Sequence, residues 1–132
     1  MAKNIKLPVF GSVKKANLIF EGNNFVAIKD GFPVSPGHAL IIPKRKAKWF
    51  RDLTFIERQE LTWTIDFIMT YITLAQPIRP CGFNVGFNDG EAAGQTMPQF
   101  HCHVIPRYKG DVEDPRGGIR HVIPNKAKYW KK

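Results

Sequence analysis

The stretch Asn88-Asp-Gly-Glu-Ala-Ala-Gly-Gln-Thr-Met-Pro-Gln-Phe-His-Cys-His-Val-Ile-Pro-Arg107 is a two-glycine loop followed by a run in which polar and apolar side chains alternate. Successive side chains of a strand point to opposite faces. A strand over Gln99 to Pro106 therefore sets Gln99, His101 and His103 on one face and Phe100, Cys102 and Val104 on the other. The first row is a polar ledge with two imidazoles and an amide. The second is apolar and expected to be buried, which makes Cys102 a core residue and not a nucleophile. Phe83 to Asn88, just upstream, also alternates and reads as a half-buried strand.

Further out, Thr54 and Glu57 have the spacing of a capping box at a helix start. Leu61, Ile65, Ile68, Met69 and Ile72 then share one helical face, and Pro77 and Pro80 end the helix. Asn17 to Phe20 and Phe25 to Lys29 flank the turn Gly22-Asn23-Asn24 and read as a hairpin. Asp30-Gly31, Pro33 and Pro36-Gly37 punctuate a loop, after which His38 to Ile42 is a strand stopped by Pro43. Hairpins and one long helix give an α+β domain with an antiparallel sheet. The reading is of a single domain over 1–132, with an ordered core at about 16–124 and a basic C-terminal tail, 125–132, expected to fray.

The chain of 132 residues is 43% hydrophobic and 23% charged. That composition excludes wholesale disorder and a collagen-like repeat. No apolar run approaches the roughly 20 residues that span a bilayer. The first residues lack the apolar core of a secretory signal. Two cysteines, Cys81 and Cys102, make no disulfide framework, so a cytoplasmic setting is expected. The net charge is +9, carried as +7 over residues 1–48, −3 over 49–100 and +5 over 101–132. Excess positive charge favours anionic partners such as nucleotides.

Two aligned imidazoles admit three readings. They are structural, they bind a metal, or one of them attacks phosphorus while the other stabilises developing charge. A tight metal site needs three or four ligands, and Gln99 is a poor one. Gly94-Gln95-Thr96 lies just upstream, where backbone N–H groups and a hydroxyl can cradle phosphate. Arg107 is either a phosphate partner or a solvated strand end, and His38 is a further loop histidine.

Pro36-Gly-His-Ala-Leu-Ile-Ile-Pro-Lys44 and the Asn88–Arg107 block together resemble the histidine triad (HIT) family of nucleotide hydrolases and transferases. The likeness runs from about Leu18 to Pro124. It implies the HIT-like fold: a five-stranded antiparallel sheet with one long helix and a shorter helical segment, usually dimeric. It implies a purine nucleotide as partner, no membrane and no cofactor. By position, His101 is the nucleophile that forms a nucleotidyl-histidine, and His103 helps hold the α-phosphate. Thr96 contacts phosphate within the Gly94-Gln95-Thr96 loop, and Asn88 contacts phosphate or leaving group. Asp30 binds the ribose hydroxyls, and His38 supports the ledge.

One position departs from the family pattern. Gln99 stands where the first motif histidine is expected, the residue that helps the leaving group. An amide donates and accepts hydrogen bonds but cannot titrate. The leading expectation is hydrolysis of nucleoside monophosphate adducts, either phosphoramidates or dinucleoside polyphosphates. The alternative is a nucleotide-binding regulatory protein with weak turnover because of Gln99. Nucleic-acid binding by the Lys126–Lys132 tail is the third and least favoured reading. The zinc-binding cysteines of the family's N-terminal region are absent, so no structural zinc is expected.

Overall fold

The computed structural model describes residues 4–130. Its main sheet has five antiparallel strands: β3 (Leu18–Glu21), β4 (Phe25–Lys29), β5 (Ala39–Pro43), β6 (Gly82–Gly86) and β7 (Cys102–Arg107), in the order β3-β4-β5-β7-β6. The Gly22–Asn24 turn closes the β3–β4 hairpin through a 2.8 Å bond from the Gly22 N–H to the Phe25 carbonyl. The one α-helix among the described residues is α1 (Phe55–Ala75). Its capping box is present: the Thr54 hydroxyl accepts from the Glu57 N–H at 3.1 Å, and the Glu57 carboxylate accepts from the Thr54 N–H at 2.8 Å. Glu57 is buried and also takes Arg45 at 2.8 Å. The guanidinium holds its carboxyl below the usual range.

The helix lays Leu61, Ile68 and Ile72 on Phe25, Ala27, Ile41, Cys102 and Val104 of the sheet. Thr64 joins this stripe because its hydroxyl donates to the Glu60 carbonyl at 2.7 Å, so burial leaves no polar group unmet. The opposite face of the sheet is covered by an N-terminal hairpin, β1 (Ile5–Leu7) with β2 (Gly11–Val13). Leu7 and Val13 pack there on Val26, Ile28, Leu40 and Ile42. The sheet thus lies between helix and hairpin, and the histidine ledge is on the hairpin side.

Several expectations need correcting. Strand β7 starts at Cys102, so Gln99 to His101 lead into it, from a bend at Gln99, and are not part of it. Strand β6 ends at Gly86, short of Phe87 and Asn88. The shorter helical segment is a set of 3-10 turns, of which Gly118–Val122 is the longest. Packing starts at the β1–β2 hairpin, upstream of residue 16. It continues past residue 124: Ala127 is fully buried, Arg120 donates to the Ala127 and Lys126 carbonyls, and Arg116 lies 4.5 Å from the Trp130 ring centroid. The last residues of the expected basic tail, 131–132, lie outside the described residues. No helix among the described residues is long and apolar enough to cross a membrane.

Candidate active site

Strands β5 and β7 are neighbours, with Leu40 opposite His103. The loop that joins β4 to β5 is closed at its base by the Asp30 N–H, which donates to the His38 carbonyl at 3.0 Å. Asp30, His38 and His103 therefore meet at one end of the sheet, though 73 residues separate the first from the last. Gly37 makes the turn before His38. Its φ is +94°, and an added Cβ would lie 2.9 Å from the Gln76 amide nitrogen and 3.1 Å from the Ile72 side chain. Only glycine fits there without strain.

Hydrogen-bond polarity fixes the tautomers. The Val34 N–H points at His38 Nδ1 at 3.1 Å, so Nδ1 is an acceptor and the ring proton is on Nε2. That Nε2–H faces His103 Nδ1 at 2.9 Å and Asp30 Oδ2 at 3.3 Å. His103 Nδ1 is then an acceptor too, and its own proton is on Nε2. His101 Nδ1 lies 3.0 Å from the Gln99 carbonyl, which can only accept, so its proton is on Nδ1 and its lone pair on Nε2. The His101 and His103 ring centroids are 5.1 Å apart. The ledge thus pairs an imidazole lone pair with an imidazole N–H. Burial, with the neighbouring His101 and His38, pushes the His103 pKa down to about 4. Burial lowers His38 as well, against the opposing pull of Asp30. Both rings are therefore neutral at pH 7.

Asp30, His38 and His103 also have the composition of a metal cluster, with ligand atoms within 4.8 Å of one another. The tautomers argue against that use. A metal on His38 Nε2 needs a lone pair there, while the Val34 N–H already uses the lone pair on Nδ1. A neutral imidazole has only one such nitrogen. The trio is a hydrogen-bonded relay.

Gln99 is not on the ledge. Its side chain is 0% exposed and faces the Pro43–Ala47 connector. Its carboxamide nitrogen donates to the Pro43 carbonyl at 3.2 Å and the Arg45 carbonyl at 2.9 Å, and its oxygen accepts from the Ala47 N–H at 3.0 Å. Both amide protons are committed to backbone.

The Asn88–Thr96 loop is built around Gln95. Its oxygen accepts from the Gly90 N–H at 2.9 Å, and its nitrogen donates to the Lys48 carbonyl at 2.7 Å and the Met97 carbonyl at 3.1 Å. Gly94 takes a left-handed φ of +93° at the end of a 3-10 turn. Asn88 and Thr96 are exposed on either side of that turn. Arg107 is held by Asp111 at 2.8 Å and the Asn84 amide oxygen at 2.6 Å, which makes it a structural strand end. Cys102 is buried, and burial pushes its thiol up to about 12, so it carries no thiolate at neutral pH.

One contact had no signal in the sequence. Phe10, at the tip of the N-terminal hairpin, sets its ring against His101 with centroids 5.3 Å apart and planes at 74°. That edge contact leaves His101 8% exposed. Strands of three residues are too short for alternation to reveal.

Similar proteins agree with this architecture. The chain is 35% identical over 97 residues to a Mycobacterium tuberculosis protein named AP-4-A phosphorylase, covering 72% of this chain and 48% of that one. It is 37% identical over 90 residues to the Schizosaccharomyces pombe bis(5'-nucleosyl)-tetraphosphatase [asymmetrical], covering 68% and 47%. The chain thus spans about half the length of these curated relatives. The crystal structure of a HIT family protein from Bacillus anthracis matches with a TM-score of 0.67 at 34% identity, over 72% of this chain and 66% of that one. The HIT domain family model matches residues 12–110, three quarters of the sequence, and the chain belongs to the HIT family.

Proposed function

We propose that the protein is a nucleotide hydrolase in which His101 attacks the α-phosphorus of a dinucleoside polyphosphate. The observation that carries this reading is the polarity of the ledge: one unshared lone pair on His101 Nε2 beside the neutral N–H on His103 Nε2. In the first step a bond forms between Nε2 and phosphorus. The bond from phosphorus to the bridging oxygen breaks, and the departing nucleoside polyphosphate takes its electron pair. The substituted His101 ring is then cationic, and its Nδ1–H donates a charge-assisted bond to the Gln99 carbonyl, stronger than the neutral one. His103 Nε2–H supports the charge that develops on the phosphoryl oxygens. Water then displaces the ring, giving the nucleoside monophosphate and free His101. Thr96 and Asn88 are proposed to hold phosphate and Asp30 to hold ribose.

The names of the M. tuberculosis and S. pombe relatives support a dinucleoside polyphosphate as substrate class. A polyphosphate chain is a good leaving group and needs little proton delivery, which suits a site where Gln99 is turned away. We also propose a homodimer, checked by light scattering. The low exposure of His101 beneath Phe10 favours, as second reading, a nucleotide-binding protein with weak turnover. Turnover of diadenosine tetraphosphate and adenosine 5′-phosphoramidate by the wild type and His101→Ala separates the two. Monophosphate release that vanishes in the variant supports the hydrolase. Tight monophosphate binding with no release supports the regulator.

A further inference from the structure

Trp49 lies on the short turn between β5 and α1, beside the loop that carries Asn88 and Thr96. Two hydrogen bonds tie turn to loop: the Lys48 carbonyl accepts from Gln95 at 2.7 Å, and the Phe50 N–H donates to Asp89 at 3.3 Å. Between them opens a cavity of about 400 Å³ lined by Lys48, Trp49, Glu91, Gln95, Thr96 and Pro98 among others. Thr96 and Pro98 put this cavity within a few residues of His101 along the chain. The Lys48 ammonium is 5.0 Å and the Arg51 guanidinium 5.1 Å from the Trp49 ring centroid. Neither cation is in an ion pair among the described residues. Asp52, the nearest acid in sequence, directs its carboxylate to the Lys48 and Trp49 N–H groups. Two cations without a partner on one half-buried indole, with Glu91 the single acidic side chain on the lining, leave a counter-anion wanting. An indole flanked by cations suits a nucleotide, whose base stacks and whose phosphates are neutralised.

We propose that Trp49, with Lys48 and Arg51, seats the departing half of the substrate: the indole stacks on the second base, and the cations neutralise the phosphates beyond the scissile bond. This rests on the hydrolase reading and adds the residues that select a nucleotide as leaving group. Asp30 and His38 line a different cavity from Trp49 and Thr96, so the two halves of the substrate meet different parts of the chain.

The test compares kcat/KM for diadenosine tetraphosphate with kcat/KM for adenosine 5′-phosphoramidate, whose leaving group is too small to reach Trp49. The ratio of the two is expected to fall about tenfold in Trp49→Ala, through KM of the tetraphosphate, and to recover in Trp49→Phe. Lys48→Ala combined with Arg51→Ala is expected to lower the same ratio and to flatten its dependence on salt. An unchanged ratio in Trp49→Ala, or a Phe variant as impaired as the Ala variant, overturns the proposal. If the wild type hydrolyses neither substrate, the hydrolase reading fails, and calorimetric titration with adenosine triphosphate judges the seat alone. A dissociation constant about tenfold weaker in Trp49→Ala supports it. Equal affinity, or no binding to the wild type, overturns it.

Discussion

Replacing Gln99 with leucine keeps the side chain's approximate size and removes every polar contact it makes. The Ala47 N–H and the Pro43 carbonyl lose their partner in an enclosed setting, while the Arg45 carbonyl belongs to an exposed residue and can turn to water. Each enclosed orphan costs about 1–3 kcal/mol, so the two together cost about 4 kcal/mol. For a domain of this size that is a fall in Tm of roughly 10–15 °C. Gln99→His is the informative companion. A neutral imidazole offers one donor and one acceptor, so it can restore at most two of the three bonds, and a loss of about 1–2 kcal/mol is expected. Urea unfolding gives both numbers from the midpoint, provided the slope m is unchanged. The same two variants test the chemistry. If residue 99 faced the leaving group, histidine would introduce a general acid and raise the rate on an alcohol-leaving nucleotide ester by about 10²–10⁴. With the side chain turned into the Pro43–Ala47 connector, no gain above about twofold is expected. A leucine variant within about 0.5 kcal/mol of wild type, or a histidine variant a hundredfold faster on the poor leaving group, would refute the reasoning.

Gly37→Ala places a Cβ 3.1 Å from the buried Ile72 at a φ of +94°, and a loss of about 2 kcal/mol is expected by thermal unfolding, with a fall in turnover as His38 shifts. The His103 pKa is near 4 in the folded protein against about 6.5 in an unfolded chain, so between those values only the unfolded state binds the proton. Stability is therefore full above about pH 6.5 and falls with pH down to about 4, by about 3 kcal/mol at most, and urea titrations should show that slope shrink in His103→Asn. Thr54→Ala removes the helix cap and should cost about 1 kcal/mol in the same assay. Cys81 is exposed and Cys102 buried, so a thiol reagent should label one cysteine per native chain and two in denaturant.

The elements with strong local signals were legible in the sequence. The Thr54–Glu57 box gave the helix start, and Pro77 gave its end, two residues past Ala75. Alternation gave β6 and β7, though not their ends, because the polar–apolar pattern runs on past the residues where the strand ladder stops. His101 and His103 could be assigned to one face from spacing alone. Their partners could not: that His38 bonds His103 depends on β5 lying beside β7, a pairing across 65 residues that no local pattern records. Gln99 shows the limit most clearly. Period-two reasoning puts it on the ledge, but the chain at residue 99 has not yet joined β7, and the connector from Pro43 offers it three backbone partners, two of them buried. Those partners outweigh the period. The β1–β2 hairpin was missed because Pro8 and Gly11 are its only turn signals, the residue at φ 64° is Val9, and strands of three residues are too short to show alternation.

The polarity of the relay follows from one backbone group. Had the Val34 N–H been turned away from His38, the ring could exchange its proton between Nδ1 and Nε2, and His103 could be donor or acceptor in turn. With Val34 fixed, the protons run in one direction, from His38 to His103 and out to the ledge. Charging either ring breaks this order: a protonated His38 can no longer accept from Val34, and a protonated His103 can no longer accept from His38. Burial, by keeping both rings neutral, and backbone geometry, by fixing the tautomer, thus act on the same proton. A substitution that pulls Val34 away, such as one that loosens the Pro33–Gly37 turn, is for that reason expected to affect the direction of hydrogen bonding at His103 before it affects the position of His101, which is held separately by the Gln99 carbonyl.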